Sequence, residues 1–243
     1  MRSGNPALSD NTFRALERTG EAMTLGGTVN RAAIMLALLL ITAGWTWNQF
    51  YTSENPGAVM PYMWLGIIGG LIAALVTAFK KTWAPITAPI YALLEGFALG
   101  GISAVFEGSY PGIVLQAVGL TFGTLAALLV AYRSGLIRAT ENFKLGVAAA
   151  TGGILLVYVV DMVLRLFGVG VPFIHESGLI GIGFSIFVVI IAALNLVLDF
   201  DFIESGVAQS APKYMEWYGA FALMVTLIWL YLEILRLLAK TRR

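Results

Sequence analysis

The sequence predicts an all-α membrane protein, a bundle of seven transmembrane helices, on three observations. The 243 residues are 58% hydrophobic and only 12% charged, against roughly 25% charged in a soluble domain, and the mean hydropathy is +0.83. Uncharged stretches at 32–53, 55–79, 108–132 and 177–198 are each long enough to span a bilayer, which needs about 20 apolar residues. Three more stretches qualify once an acid is admitted to each: 84–106 with Glu95, 145–167 with Asp161 and Arg165, and 217–239 with Glu233.

Taken in order, the spans are expected at 31–51, 61–80, 84–106, 111–132, 145–167, 178–202 and 215–239, joined by short connections. Residues 1–29 read as a polar cytoplasmic N-terminal segment, and 30–243 as the seven-helix domain. Within that segment Ser9 or Asp10 is placed to cap a short surface helix carrying Phe13 and Leu16, flanked by Arg14 and Arg18. No short apolar stretch with a small-residue cleavage site opens the chain, so the first span is expected to act as the membrane signal.

Basic residues set the expected orientation. Arg2, Arg14, Arg18 and Arg31 precede span one, Lys80 and Lys81 follow span two, and Arg133, Arg138 and Lys144 follow span four, whereas 52–60, 107–110 and 168–177 hold none. That alternation predicts a cytoplasmic N-terminus in a cell membrane, the inner membrane if the source is bacterial. Span seven conflicts with it: odd parity carries the tail outside, while Lys240, Arg242 and Arg243 argue for the inside. Either the tail crosses despite its charge or 215–239 is a re-entrant or tilted element.

Trp45, Trp47, Trp64, Trp83 and Trp217 fall near span ends, where an aromatic belt sits. Gly66, Gly69 and Gly70, Gly96 and Gly100, and Gly178, Gly181 and Gly183 mark close helix approaches. Pro85 and Pro89 open span three, where a missing N–H is tolerated in the first turn and only Pro89 can kink the helix.

Composition also excludes functions. A net charge of +1 provides no basic field for nucleic acid. The chain has no cysteine, hence no disulfide, thiolate metal site or thiol catalysis. His175 is the single histidine and lies in a predicted outer loop, so zinc sites and Ser/His hydrolysis lack material. The GxGD signature of intramembrane aspartyl proteases is missing, and no strand precedes a glycine loop able to cradle phosphate. The chain is therefore expected not to be an enzyme and to need no cofactor.

Function is sought instead in the acids at membrane depth: Glu95, Asp161, Asp199, Asp201 and Glu233. An Asp at a helix centre costs roughly 2.5–3.5 kcal/mol on insertion scales, so such a group faces a bundle interior, a partner or a wet path. Asp161 and Arg165 are four apart and meet on one helix face, which reads as a structural pair. Glu95 has Tyr91 one turn earlier as a possible donor, and serves either packing or a secondary polar site. Asn195 and Asp199 form a polar stripe ending span six, while Asp201, about 200° round the helix from Asp199, belongs with Glu204 to a solvated end.

Glu233 has Arg236 three residues on as a local partner. Were Asp199 and Glu233 brought together in a low-dielectric bundle, they could not easily both ionise; they would share a proton and titrate as a pair. Oxygen ligands of that kind also suit hard cations such as Ca²⁺.

RSGNPALSDNTF near the N-terminus, KKTWAPITAPIYALLEGFALGGIS around span three, LDFDFIESG ending span six and WLYLEILRLL in span seven together resemble the bacterial YccA-like branch of the Bax-inhibitor (transmembrane BAX inhibitor motif) superfamily. The resemblance implies seven helices with the last one central, and a pH-dependent Ca²⁺ leak gated by two acids. By motif those acids are Asp199 and Glu233, the latter in LYLE where the family often has LYLD. It also implies roles in cell-death suppression and, in bacteria, modulation of a membrane protease.

The chain departs from the pattern in that Glu replaces Asp, and in that an early-helix arginine which locks one acid in some members has Lys80 and Lys81 as its nearest counterparts. Two functional expectations follow. One is a pH-sensitive Ca²⁺ or cation leak through an Asp199–Glu233 carboxyl pair, with lipid, calcium and protons as partners. The other is a regulatory protein that binds a membrane protease or a stress or cell-death factor through residues 1–29 and the cytoplasmic loops, its acids structural.

Overall fold

A computed structural model describes residues 21–53, 56–168 and 178–242. Among these residues seven helices are long and apolar enough to cross a membrane. They are α1 (Leu25–Thr52), α2 (Met60–Phe79, after a 3-10 turn at Pro56–Val59), α3 (Ala84–Ser109, after one at Lys81–Trp83), α4 (Ile113–Arg133), α5 (Glu141–Leu166), α6 (Leu179–Ala208) and α7 (Met215–Thr241). The proposed surface helix at Ser9 or Asp10 and the loop residue His175 lie outside the described residues.

Local chemistry accounts for the helix ends. α1 begins six residues before the expected Arg31 because Thr24 caps it, its hydroxyl accepting from Gly27 N at 2.9 Å. Thr140 caps α5 in the same way, from Phe143 N at 3.3 Å. Pro61 and Pro85 stand in the first turns of α2 and α3, where no N–H is missed, and α3 runs on through Pro89. The Glu107 carboxylate accepts from Gly112 N at 2.6 Å and Val114 N at 3.0 Å, which caps the start of α4.

The chain divides into two compact units. One contains α1 to α3 and residues 202–225. There α3 packs against both α1 and α2, and the approach is close enough that Gly66 lies against the Leu94 and Ala98 backbone and Gly100 against that of Ala43. Trp45 sits edge-on between Tyr62 at 4.8 Å and Phe97 at 5.7 Å. The other unit contains residues 115–201 and the chain from Thr226 onward. Its core gathers Ile154, Val188 and Ile191, with Tyr158, Phe184 and Trp229 packed against them. Half of the apolar window of α7 is buried, as it is for α3, against 17–22% for α1, α2, α4 and α5; the last helix is an inner one.

Contacts inside each unit settle the parity of the crossings. Ala22 forms an antiparallel bridge with Pro212, so the segment ahead of α1 and the α6–α7 connection share a face, as six crossings require. At the other end of α7, the buried Lys240 ammonium donates to Gly181 O at 3.0 Å and Ser185 Oγ at 2.8 Å, at the beginning of α6. Arg242 donates to Gln116 Oε1 at 2.9 Å, at the beginning of α4.

α7 is therefore one uninterrupted crossing of 27 residues, and the re-entrant alternative falls. The tail charge that argued against crossing is in part ligated within the protein. A topology reporter fused after Arg243 is expected to read the face opposite a tag placed before residue 1; a same-face result would overturn this arrangement.

Candidate functional site

Glu233 lies about two thirds of the way along α7 and is 2% exposed. The Tyr158 hydroxyl, from α5, donates to its Oε1 at 2.9 Å. Arg236 Nη1 donates to both carboxylate oxygens, at 2.9 and 3.1 Å, and to the Tyr158 oxygen at 2.9 Å. The guanidinium also lies over the Tyr158 ring, 5.4 Å from its centroid. The three groups form a closed triangle in which charge and hydrogen bonding are both satisfied. The same three residues line a cavity of about 410 Å³ together with Thr151, Ile154, Leu155, Trp229 and Leu232.

The second acid is reached through Thr151. Asn195 Nδ2, on α6, donates to Thr151 Oγ1 at 2.8 Å and to Ile191 O at 2.8 Å. Asp199 follows one turn later, 3% exposed. It accepts from the Thr226 hydroxyl of α7, while its Oδ2 is buried with no hydrogen-bond partner among the described residues. Polar side chains thus run from the cavity through Thr151 and Asn195 toward Asp199 in an otherwise apolar interior.

Thr226 and Glu233 are seven residues apart on one helix, hence on the same face and about 10 Å apart along the axis. Asp199 and Glu233 accordingly face the same stripe of α7, each bound to its own partners rather than to the other. Among the described residues no three His, Cys, Asp or Glu side chains cluster to hold a metal ion. Two separated carboxylates suit passing contact with a cation, since a resident Ca²⁺ takes six to eight oxygens.

Two of the remaining acids are ion-paired. Asp161 accepts from Arg165 Nε at 2.8 Å along α5. Asp201, expected at a solvated end, is a quarter exposed and pairs with Lys144 Nζ at 2.6 Å. Glu95 packs its carboxyl against the backbone of Gly70, and the Tyr91 ring stands edge-on to Phe221 at 5.0 Å.

Two residues escaped the sequence reading. Tyr158 sits in an apolar run as an ordinary aromatic, and only folding brings it to a carboxylate 75 residues away. Glu216 falls at the very start of the expected seventh span and reads as an ordinary helix end, yet its side chain is wholly buried. The nearest signals were the one-turn spacing of Tyr158 from Asp161 and of Lys213 from Glu216.

No curated protein and no solved structure matches the chain. A family model described as Bax inhibitor 1 like matches residues 5–243, nearly the whole length and all seven spans, and the chain belongs to that family.

Proposed function

We propose that this multi-pass membrane protein is a pH-sensitive cation leak, Ca²⁺ being its cargo, and that Asp199 and Glu233 are the two carboxyls a passing ion meets. The motif set favours the YccA-like branch of the family, with the N-terminus cytoplasmic. The observation that carries the reading is Asp199, a carboxyl 3% exposed with one oxygen that has no hydrogen-bond partner among the described residues. A buried acid left half satisfied is costly, and one that ends a polar run at membrane depth suits a route for ions or protons. The polar run from the cavity through Thr151 and Asn195 leads to it.

In this reading the structure corresponds to a resting state in which Arg236 and Tyr158 hold Glu233. Opening frees Glu233, so that two carboxylates along α7 offer an ion weak, successive contacts from which it can depart. Acidification adds a proton to this stripe and removes the attraction for a cation.

The test is Ca²⁺ entry into dye-loaded liposomes containing the purified chain, at pH 6 and pH 8. The native protein is expected to pass more Ca²⁺ at pH 8, and Asp199→Asn to lose most of the flux and flatten its pH response. An unchanged rate and an unchanged pH response in the variant would sink the proposal.

A further inference from the structure

The most completely enclosed acid among the described residues has no part in that path. Glu216, at the start of α7, has no exposed surface. Its Oε1 accepts from Thr24 N at 3.0 Å and from Thr24 Oγ1 at 2.9 Å. Lys213 Nζ stands 3.5 Å from the same oxygen, and Arg31 Nη2 lies 3.9 Å from Oε2 while its guanidinium covers the Trp217 ring at 5.1 Å. The carboxyl presses on the Gly27 backbone so closely that a Cβ there would overlap it.

The backbone makes a second connection beside the first. Met23 N donates to Ala211 O at 2.7 Å and Lys213 N to Glu21 O at 3.0 Å, on either side of the Ala22–Pro212 bridge. Lys213 also reaches Glu21, at 3.4 Å. Residues 21–24 are thus strapped to 211–213 and clasped by Glu216. Thr24 is at once the cap of α1 and the donor to Glu216, so the start of α1 and the foot of α7 are one piece.

A side chain that merely filled space here would be apolar. Burying a carboxylate requires several donors aimed at it, and losing one leaves a costly orphan. The strap also lies next to residues 1–20 in sequence. α7 is a single helix, so Glu216 stands on the same element as Thr226 and Glu233.

We propose that Glu216 is a positioning residue: with Thr24 it fixes the seat of α7, and through it the segment ahead of α1 regulates access to the cavity beside Glu233. This rests on the leak reading for its consequence, but not for its geometry. The cysteine-free chain makes the test direct. Leu232→Cys places one thiol in the cavity wall, and its labelling rate by a water-soluble maleimide is measured with the native clasp, with Glu216→Gln and with Thr24→Val, alongside Ca²⁺ flux and amide exchange of residues 21–24.

Each clasp variant is expected to raise exchange in the strap and to change labelling at position 232 at least threefold. Thr24→Val, which keeps shape and backbone, carries the test if Glu216→Gln does not fold. Raised exchange in the strap with unaltered labelling would confine the clasp to local structure and overturn the coupling, even if Asp199→Asn still abolished flux. Altered labelling in a chain that passes no Ca²⁺ would uphold the coupling and remove the leak.

Discussion

Gly96→Ala is expected to lower the stability of the α1–α3 pair by about 3 kcal/mol, toward the upper end for overpacking. A Cβ at position 96 would lie 1.9 Å from Thr42 Oγ1 and 2.3 Å from the Leu39 carbonyl oxygen. Neither can yield cheaply. Leu39 O is helix backbone, and the Thr42 hydroxyl is committed to Leu93 O at 2.9 Å across the helix pair, one of the polar contacts that hold transmembrane helices together. Gly100, one turn on, has the Ala43 backbone in the same position, so the helices cannot slide to relieve the clash.

In a chain of this size about 3 kcal/mol corresponds to a fall of roughly 6–12 °C in melting temperature. Gly119→Ala and Gly123→Ala provide the control within the same protein, because a Cβ at either position meets nothing within 4 Å. These two variants should melt with the native protein or slightly above it, since alanine is the better helix former. Equal losses at 96 and 119 would show that glycine content rather than close approach matters.

That contrast also shows how far sequence reasoning reached. Apolar length identified all seven crossings, because a spanning helix must satisfy its backbone within itself and few other segments are so long and uncharged. Gly96 and Gly100 stood out by their four-residue spacing, whereas Gly119 and Gly123 have the same spacing with nothing against them. Which small-residue stripe meets a neighbour is a tertiary fact.

The candidate site divides in a similar way. Asp199, Asn195, Glu233 and Arg236 were visible because a polar group in an apolar run is conspicuous, and their one-turn spacings placed them on common faces. Tyr158 and Glu216 were not, since one resembles a core aromatic and the other a helix end. Their roles depend on partners 75 and 192 residues away. The tail conflict had the same origin. Counting Lys240 as a solvent charge ignored that Gly181 O and Ser185 Oγ would hold it.

Arg236→Gln is expected to have the second large effect, on stability and flux in opposite directions. Removing one partner of a buried ion pair costs about 3–5 kcal/mol when the survivor has no other recourse. Here the survivor, Glu233, is 2% exposed and keeps the Tyr158 hydroxyl, and the side chain removed was about a third exposed. Solvent already weakened the pair, so the expected loss is about 2 kcal/mol.

Glu233→Gln should cost less, about 1 kcal/mol, because the orphaned guanidinium borders the cavity and stays over the Tyr158 ring. With both substitutions little charge remains to be left unpaired, so the double variant should be nearer to Glu233→Gln than to the sum of the two losses. Strict additivity in melting measurements would show that the pair is not coupled. In liposomes, Arg236→Gln should raise Ca²⁺ entry at pH 8 several-fold, since it frees a carboxylate on the path and removes the positive charge beside it. Adding Glu233→Gln should abolish the gain. Were Arg236→Gln to lose flux while remaining folded, the guanidinium would be part of the conducting arrangement rather than its lock.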